Sequence, residues 1–341
     1  MEENKLKEIL SRLKNISVIV IGDFFLDKYL KIDRSKNEVS VETGLEAYQV
    51  VEKNMSPGAA GTVTNNLRSL GVGRVIAMGF IGDDGEGYDL EKGLEKSGVE
   101  TKYLIKTKKR VTPTYTKPVI IEDSGLREIN RLDIKNFTPT PGDLEDEIID
   151  KLFHLSGKVE GVIALDQLSE NNCGVITGKV REALSKLMRV NKKLIVYADS
   201  RENIGLFNNV IIKCNHYEAV KTIFPGIETE PDEGTIEKAG YELTGRTGKP
   251  VFITYGKQGQ WVFSNNELEK IPAIPVKGPF DICGAGDANT SGIISALCCG
   301  SSPPNAALLG NIISSIAIQQ LNTTGTVTPS QVLKRYREVF I

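Results

Sequence analysis

Ser17-Val18-Ile19-Val20-Ile21 is a run of five residues, four of them apolar and β-branched, followed at once by Gly22-Asp23. A continuous apolar run of this length, too short for a helix, reads as a strand buried on both faces. The same reading applies to Val75-Ile76-Ala77-Met78, Gly161-Val162-Ile163-Ala164-Leu165, Lys193-Leu194-Ile195-Val196-Tyr197, Val210-Ile211-Ile212 and Val251-Phe252-Ile253-Thr254. Helical patterns lie between them, at 59–70, 88–96, 173–190 and 235–244. Buried strands alternating with amphipathic helices predict an α/β fold: a doubly wound, mostly parallel sheet with helices on both faces.

Two stretches break that rhythm. Positions 30–55 and 110–132 alternate polar and apolar residues in short runs, as in Tyr115-Thr116-Lys117-Pro118-Val119-Ile120-Ile121. They predict antiparallel strands outside the main sheet, a small β-strand lid, with hairpins on the sheet edge as the plainer alternative. Such strands leave edges that another chain commonly covers, so a homodimer through the lid is expected. No repeat, low-complexity tract or linker divides the chain, and 1–341 is read as a single domain with the lid built in.

Charge and composition narrow the function. The 42 basic and 44 acidic residues nearly cancel, so no global field favours nucleic acid or an anionic membrane. Residues 1–15 form a charged amphipathic pattern rather than a signal peptide, and no apolar run approaches the ~20 residues that span a bilayer. Five cysteines, odd in number and without C-x-x-C spacing, fit a reduced, cytoplasmic chain. Two histidines argue against a His-rich metal site. The absence of G-x-S-x-G, G-x-x-x-x-G-K-[ST] and G-x-G-x-x-G argues against an α/β-hydrolase, a P-loop NTPase and a standard dinucleotide binder.

The segment richest in chemistry is Gly278-Pro279-Phe280-Asp281-Ile282-Cys283-Gly284-Ala285-Gly286-Asp287-Ala288-Asn289-Thr290-Ser291-Gly292. Small residues at 284–286 let backbone N–H groups approach a ligand closely, and the helical pattern that follows puts them at a helix N-terminus. Unpaired amides and the helix dipole both favour an anion there, so phosphate fits. Asp287 then shares the first turn with those amides and could take the proton of a hydroxyl aimed at the phosphorus. From these four residues alone, a tight helix entry capped by an aspartate is as good a reading.

Asp281 to Asp287 resembles the Asp-Thr-x-Gly-Ala-Gly-Asp signature of the ribokinase-like (PfkB) carbohydrate kinases, with Ile282 in place of Thr. The resemblance implies an ATP-dependent kinase of a sugar or sugar phosphate, with Asp287 as base and the Gly284, Ala285 and Gly286 amides as anion hole. It runs over about 16–330. The family's Gly-Asp falls on Gly22-Asp23, which implies Asp23 as a substrate ligand, with Asp27 behind it. Its Gly-Gly-x-x-x-Asn stretch falls on Gly58 to Thr62, with Ala59 for the second Gly and Thr62 for Asn, so the sugar contacts there differ. Asn215 and Glu218 match Asn-x-x-Glu, which implies nucleotide binding and an outer-shell role for Glu218 toward Mg²⁺. Thr254, Gly256 and Gly259 resemble the turn lying against the nucleotide, and Asn311 falls where the base is contacted. Asp281 falls where some members hold a monovalent cation such as K⁺; the sequence leaves open whether this chain does.

Within the family, Gly22-Asp23-x-x-Leu26-Asp27, Arg131-Leu132-Asp133 and Gly325-Thr326-x-Thr328-Pro329 look most like the heptose-7-phosphate kinase branch. Two places depart from it. Val41-Glu42-Thr43-Gly44 replaces Pro-Glu-Ala-Pro, and Asp166-Gln167-Leu168-Ser169-Glu170 replaces Asp-Tyr-x-Lys-Gly, which removes a lysine suited to a substrate phosphate. Asp166 stays a candidate substrate contact. A kinase of a nucleoside or another small alcohol, or a silent sugar or nucleotide sensor, are the alternatives.

Overall fold

A computed structural model of the chain describes residues 1–122, 125–227, 229–321 and 324–341, so positions 123 and 124 of the expected lid stretch lie outside it. In chain order, helix α1 (Glu3–Arg12) leads into strands β1 (Ser17–Gly22) and β2 (Phe24–Ile32). The short β3 (Glu38–Val39) and β4 (Glu46–Ala47) precede β5 (Val50–Ala59), which runs directly into α2 (Ala60–Ser69). Next come β6 (Arg74–Gly82), α3 (Gly85–Lys96), β7 (Glu100–Thr107), β8 (Thr114–Glu122), β9 (Gly125–Glu128) and β10 (Leu132–Ile134). The central part holds α4 (Gly142–Ser156), β11 (Gly161–Asp166), α5 (Gly178–Val190), β12 (Ile195–Ser200), β13 (Ile211–Asn215) and α6 (His216–Ile223). The chain closes with α7 (Glu233–Thr247), β14 (Val251–Thr254), β15 (Gln260–Ser264), β16 (Glu267–Ile271), α8 (Ala285–Cys298), α9 (Pro303–Ala317) and α10 (Pro329–Phe340).

The main sheet has nine strands in the order β16-β15-β14-β13-β12-β11-β1-β6-β7, parallel from β14 through β7 and antiparallel at the β15–β16 end. Alternation along β1 builds two cores. Val18 and Val20 join Leu67 of α2, Ile293 of α8 and Ile312 of α9, while Ile19 and Ile21 join Ile148 of α4 and Leu184 of α5. All four β1 side chains are fully buried, as a strand covered on both faces requires.

The lid is a second sheet in the order β10-β8-β2-β5, with β9 against β8. It starts earlier than the alternation suggested, at Phe24, because only Asp23 separates β2 from β1. The expectation of antiparallel strands needs correcting at one seam: β2 and β8 pair in parallel, Asp27 opposite Tyr115. Both enter the lid from the same edge of the main sheet, β2 after β1 and β8 after β7, so they run the same way. The helical pattern at 173–190 also forms only from Gly178, since Cys173 to Thr177 belong to the loop after β11. Val39, Val41, Leu45 and Leu126 are exposed apolar residues of the lid.

Candidate active site

The carboxyl ends of the parallel strands, where open α/β sheets bind ligands, face the lid. Gly284 caps α8 at φ 76°, a left-handed conformation that glycine adopts without strain. The turn presents the amides of Gly284, Gly286 and Asp287 without a protein acceptor among the described residues, whereas Ala285 N donates to Ile282 O at 3.1 Å. Of the three amides expected to form the anion hole, the middle one is therefore spent inside the turn.

The Asp287 carboxylate is recessed at the first turn of α8 and accepts no hydrogen bond from the described residues. Burial raises it to about 7, and the charge of Asp199 pushes the same way against Lys213 and Arg201. An acid poised there is suited to accept a proton near neutral pH. Asp27 of the lid lies close enough to Cys283 and Asp287 to bear on the ionisation of both, and Lys117 on that of Cys283.

Asp27 is held on the lid face toward this turn. Lys117 Nζ lies 3.3 Å from its Oδ1 and donates to Tyr29 Oη at 3.0 Å, so a three-residue cluster spans β2 and β8. Gly58 makes room for it: a β-carbon there would stand 3.0 Å from Asp27 Cγ and nearer still to Oδ2. Ala59 follows at φ 51° and ψ −117°, a conformation that costs any residue with a β-carbon. Thr62 is buried in the first turn of α2.

Asp23 and Asp166, also expected to touch substrate, sit deeper. Asp23 is 3 % exposed; its Oδ1 accepts Val175 N at 2.7 Å and its Oδ2 accepts Gln167 N at 3.0 Å. Burial, then the charge of Asp166, raise it to about 7. The loop after β11 thus closes over Asp23. Asp166 Oδ2 accepts Ser200 Oγ at 2.9 Å and Asn203 Nδ2 at 3.1 Å, with Arg181 Nη1 at 3.7 Å. Asp27, and neither of these two, is among the charges that bear on Asp287.

Asn215 and Glu218 form a reciprocal cap at the start of α6: Asn215 Oδ1 accepts Glu218 N at 2.9 Å and Glu218 Oε2 accepts Asn215 N at 2.7 Å. Burial raises Glu218 to about 7, and its Oε1 has no hydrogen-bond partner among the described residues. A cavity of about 510 Å³ lies beside the anion turn, lined by Gly256, Gly259, Ile274, Val276, Phe280 and Asn311 among others. Gly259, at φ 96°, passes so close to Ile271 O and Ala273 N that no β-carbon fits. Thr254 Oγ1 donates to Cys214 O at 3.4 Å. Asn311 turns its amide inward: Nδ2 donates to Pro272 O at 3.0 Å and Oδ1 accepts Asn289 Nδ2 at 3.4 Å. Asp281 Oδ1 accepts Cys283 N at 2.9 Å and so shapes the turn ahead of α8.

Sequence reasoning passed over Lys213 and Asp199, which form a buried pair beneath the turn with Nζ to Oδ2 at 2.6 Å. One signal was available: Lys213 sits inside the apolar run Val210-Ile211-Ile212-Lys213-Cys214, where a charge needs a partner.

Over 98% of its length the chain is 27% identical to the bifunctional protein HldE of Geotalea uraniireducens (strain Rf4), and it spans 65% of that protein. Ribokinase of Arabidopsis thaliana, solved with ribose and ATP, superposes with a TM-score of 0.67 at 18% identity, covering 94% of this chain and 98% of that one. Phosphofructokinase-2 of Escherichia coli, solved with potassium, gives a TM-score of 0.73 at 17% identity, covering 95% and 99%. These structural likenesses establish the ribokinase-like fold. The pfkB family carbohydrate kinase profile matches residues 17–330, and on that match, nearly end to end, the chain belongs to the pfkB family of carbohydrate kinases.

Proposed function

We propose that the chain transfers the γ-phosphoryl group of ATP to a hydroxyl of a sugar or sugar phosphate, with Asp287 as general base. The observation that carries this is the Asp287 carboxylate itself, which among the described residues meets no donor, is raised to about 7 and stands beside amides with no acceptor. The hydroxyl proton passes to Asp287, the hydroxyl oxygen bonds to phosphorus, and the bond to the bridging oxygen of ADP breaks. The Gly284, Gly286 and Asp287 amides take up charge on the transferred group. Asp27, on the lid face nearest the turn, orients the acceptor, and the 510 Å³ cavity takes the nucleoside.

Mg²⁺ would neutralise phosphate charge. The free oxygen of Glu218, with Asn215 behind it, fits an outer-shell contact of the water-mediated kind that this ion favours. Likeness to the HldE protein supports the heptose-7-phosphate kinase branch as the nearest pattern. Asp287→Asn is expected to keep ATP binding by calorimetry and to lose about 10²–10⁴ in rate of ADP release across a panel of sugars and sugar phosphates. Near wild-type turnover in that variant would sink the assignment.

A further inference from the structure

Three side chains meet beneath the anion turn. Lys213, the middle residue of β13, is 6 % exposed, and its Nζ donates to Asp199 Oδ2 of β12 at 2.6 Å. The same oxygen accepts Thr290 Oγ1 of α8 at 3.0 Å. The ammonium also lies 3.4 Å from where a β-carbon on Gly286 would stand, which places it against the backbone of the turn. An ion pair withdrawn from water adds little net stability, and apolar residues of similar size would pack the spot at least as well. A pair kept here, under the residues that face phosphate, has an electrostatic task.

We infer that Lys213 and Asp199 form a charged floor under the site whose two members act in opposition: the ammonium steadies negative charge on Asp287 and at the anion turn, while Asp199 holds the ammonium in place and opposes that charge. The inference rests on the reading of Asp287 as base. Lys213 is a positioning residue in this scheme, since it acts through the turn rather than by touching the acceptor. The other charges that bear on Asp287 are Arg201 after β12 and Asp27 of β2, with Lys117 of β8 close by on Asp27. Glu218 of α6 shares the field of Lys213. Asp199 disfavours the ionised Asp287 and Lys213 favours it, so the two variants must move it in opposite directions.

The test follows the carboxyl carbons of ¹³C-aspartate-labelled full-length chain by NMR across pH, with Asp287 assigned through Asp287→Asn. Lys213→Gln raises the Asp287 midpoint from about 7 and Asp199→Asn lowers it. Lys213→Arg leaves it where it was. The double variant Lys213→Gln/Asp199→Asn buries no unpaired charge, covers a single variant that fails to fold, and lowers the midpoint by less than Asp199→Asn does. The acid limb of kcat/KM is expected to move with these midpoints. Midpoints within about 0.3 of wild type in all foldable variants would overturn the inference and leave the pair a structural clasp. The titration needs no acceptor, so its failure is distinct from failure of the kinase reading, which would show as no ADP release by the wild-type chain.

Discussion

Gly58→Ala tests whether Asp27 is placed for work at the acceptor. The new β-carbon would stand 3.0 Å from Asp27 Cγ. Carbon–carbon contacts relax at about 3.5–4.0 Å and Oδ2 stands closer still, so the carboxylate must retreat by about 1 Å or more. It then leaves both Lys117 Nζ, 3.3 Å away, and the position from which it would bond the acceptor. A hydrogen bond to a charged group contributes about 1.5–3 kcal/mol, which converts to a fall of about 10–160-fold in kcat/KM. Folding should survive, because the displaced group is the end of a side chain on the lid. The assay is ADP release by wild type, Gly58→Ala, Asp27→Ala and the double variant. Because the damage runs through Asp27, Gly58→Ala should cost less than about twofold in the Asp27→Ala background. An equal loss in both backgrounds, or an unimpaired Gly58→Ala, would refute the reasoning.

Ala59→Gly should stabilise the chain, since φ 51° and ψ −117° strain a residue with a β-carbon. Relief of about 1–3 kcal/mol, less about 0.5–1 for the looser unfolded chain, leaves roughly 0.5–2 kcal/mol, a rise of about 1–3 °C in Tm by calorimetry; a lower Tm would show the turn is unstrained. Asp287, Asp23 and Glu218 are each raised to about 7 in the folded chain. Between about pH 4, where such groups titrate when unfolded, and pH 7 the folded chain keeps protons that the unfolded chain has released, so stability falls as pH rises through that window. Asp287→Asn removes one such group and should melt above wild type at pH 8, with the gap closing toward pH 4. A gap independent of pH would count against the raised carboxyl.

The parallel sheet was legible because its strands are buried on both faces and therefore apolar without interruption, as at Ser17–Gly22. The anion turn was legible because small residues, a helix start and an aspartate are contiguous. Features that depend on distant chain were not. Asp23 looked like a ligand at a strand end, yet its partners Gln167 and Val175 lie 144 and 152 positions away, on a loop with no periodic pattern. Asn311 matched a position for the base, but its amide is consumed by Pro272 and Asn289, which only the packed helices bring near. Lys213 and Asp199 belong to different strands whose adjacency follows from sheet order, and strand order is not written in any local run. The parallel lid seam was hidden for the same reason: alternation announces a half-buried strand but not the direction of its neighbour.

The junction between lid and sheet also has a mechanical meaning. β2 and β5 are joined along their whole length, from Phe24 opposite Ala59 to Ile32 opposite Val50. Both spring from one point, where Ala60 N donates to Asp23 O at 3.1 Å. Measured from that point, β2 is an arm of nine residues, about 30 Å at ~3.3 Å per residue. A rotation of about 10° carries the tip through about 5 Å, while Asp27, four residues out, travels only about 2 Å. A turn about that point would therefore move the far end of the lid more than twice as far as Asp27, and lengthening the tip would add to the first movement without adding to the second.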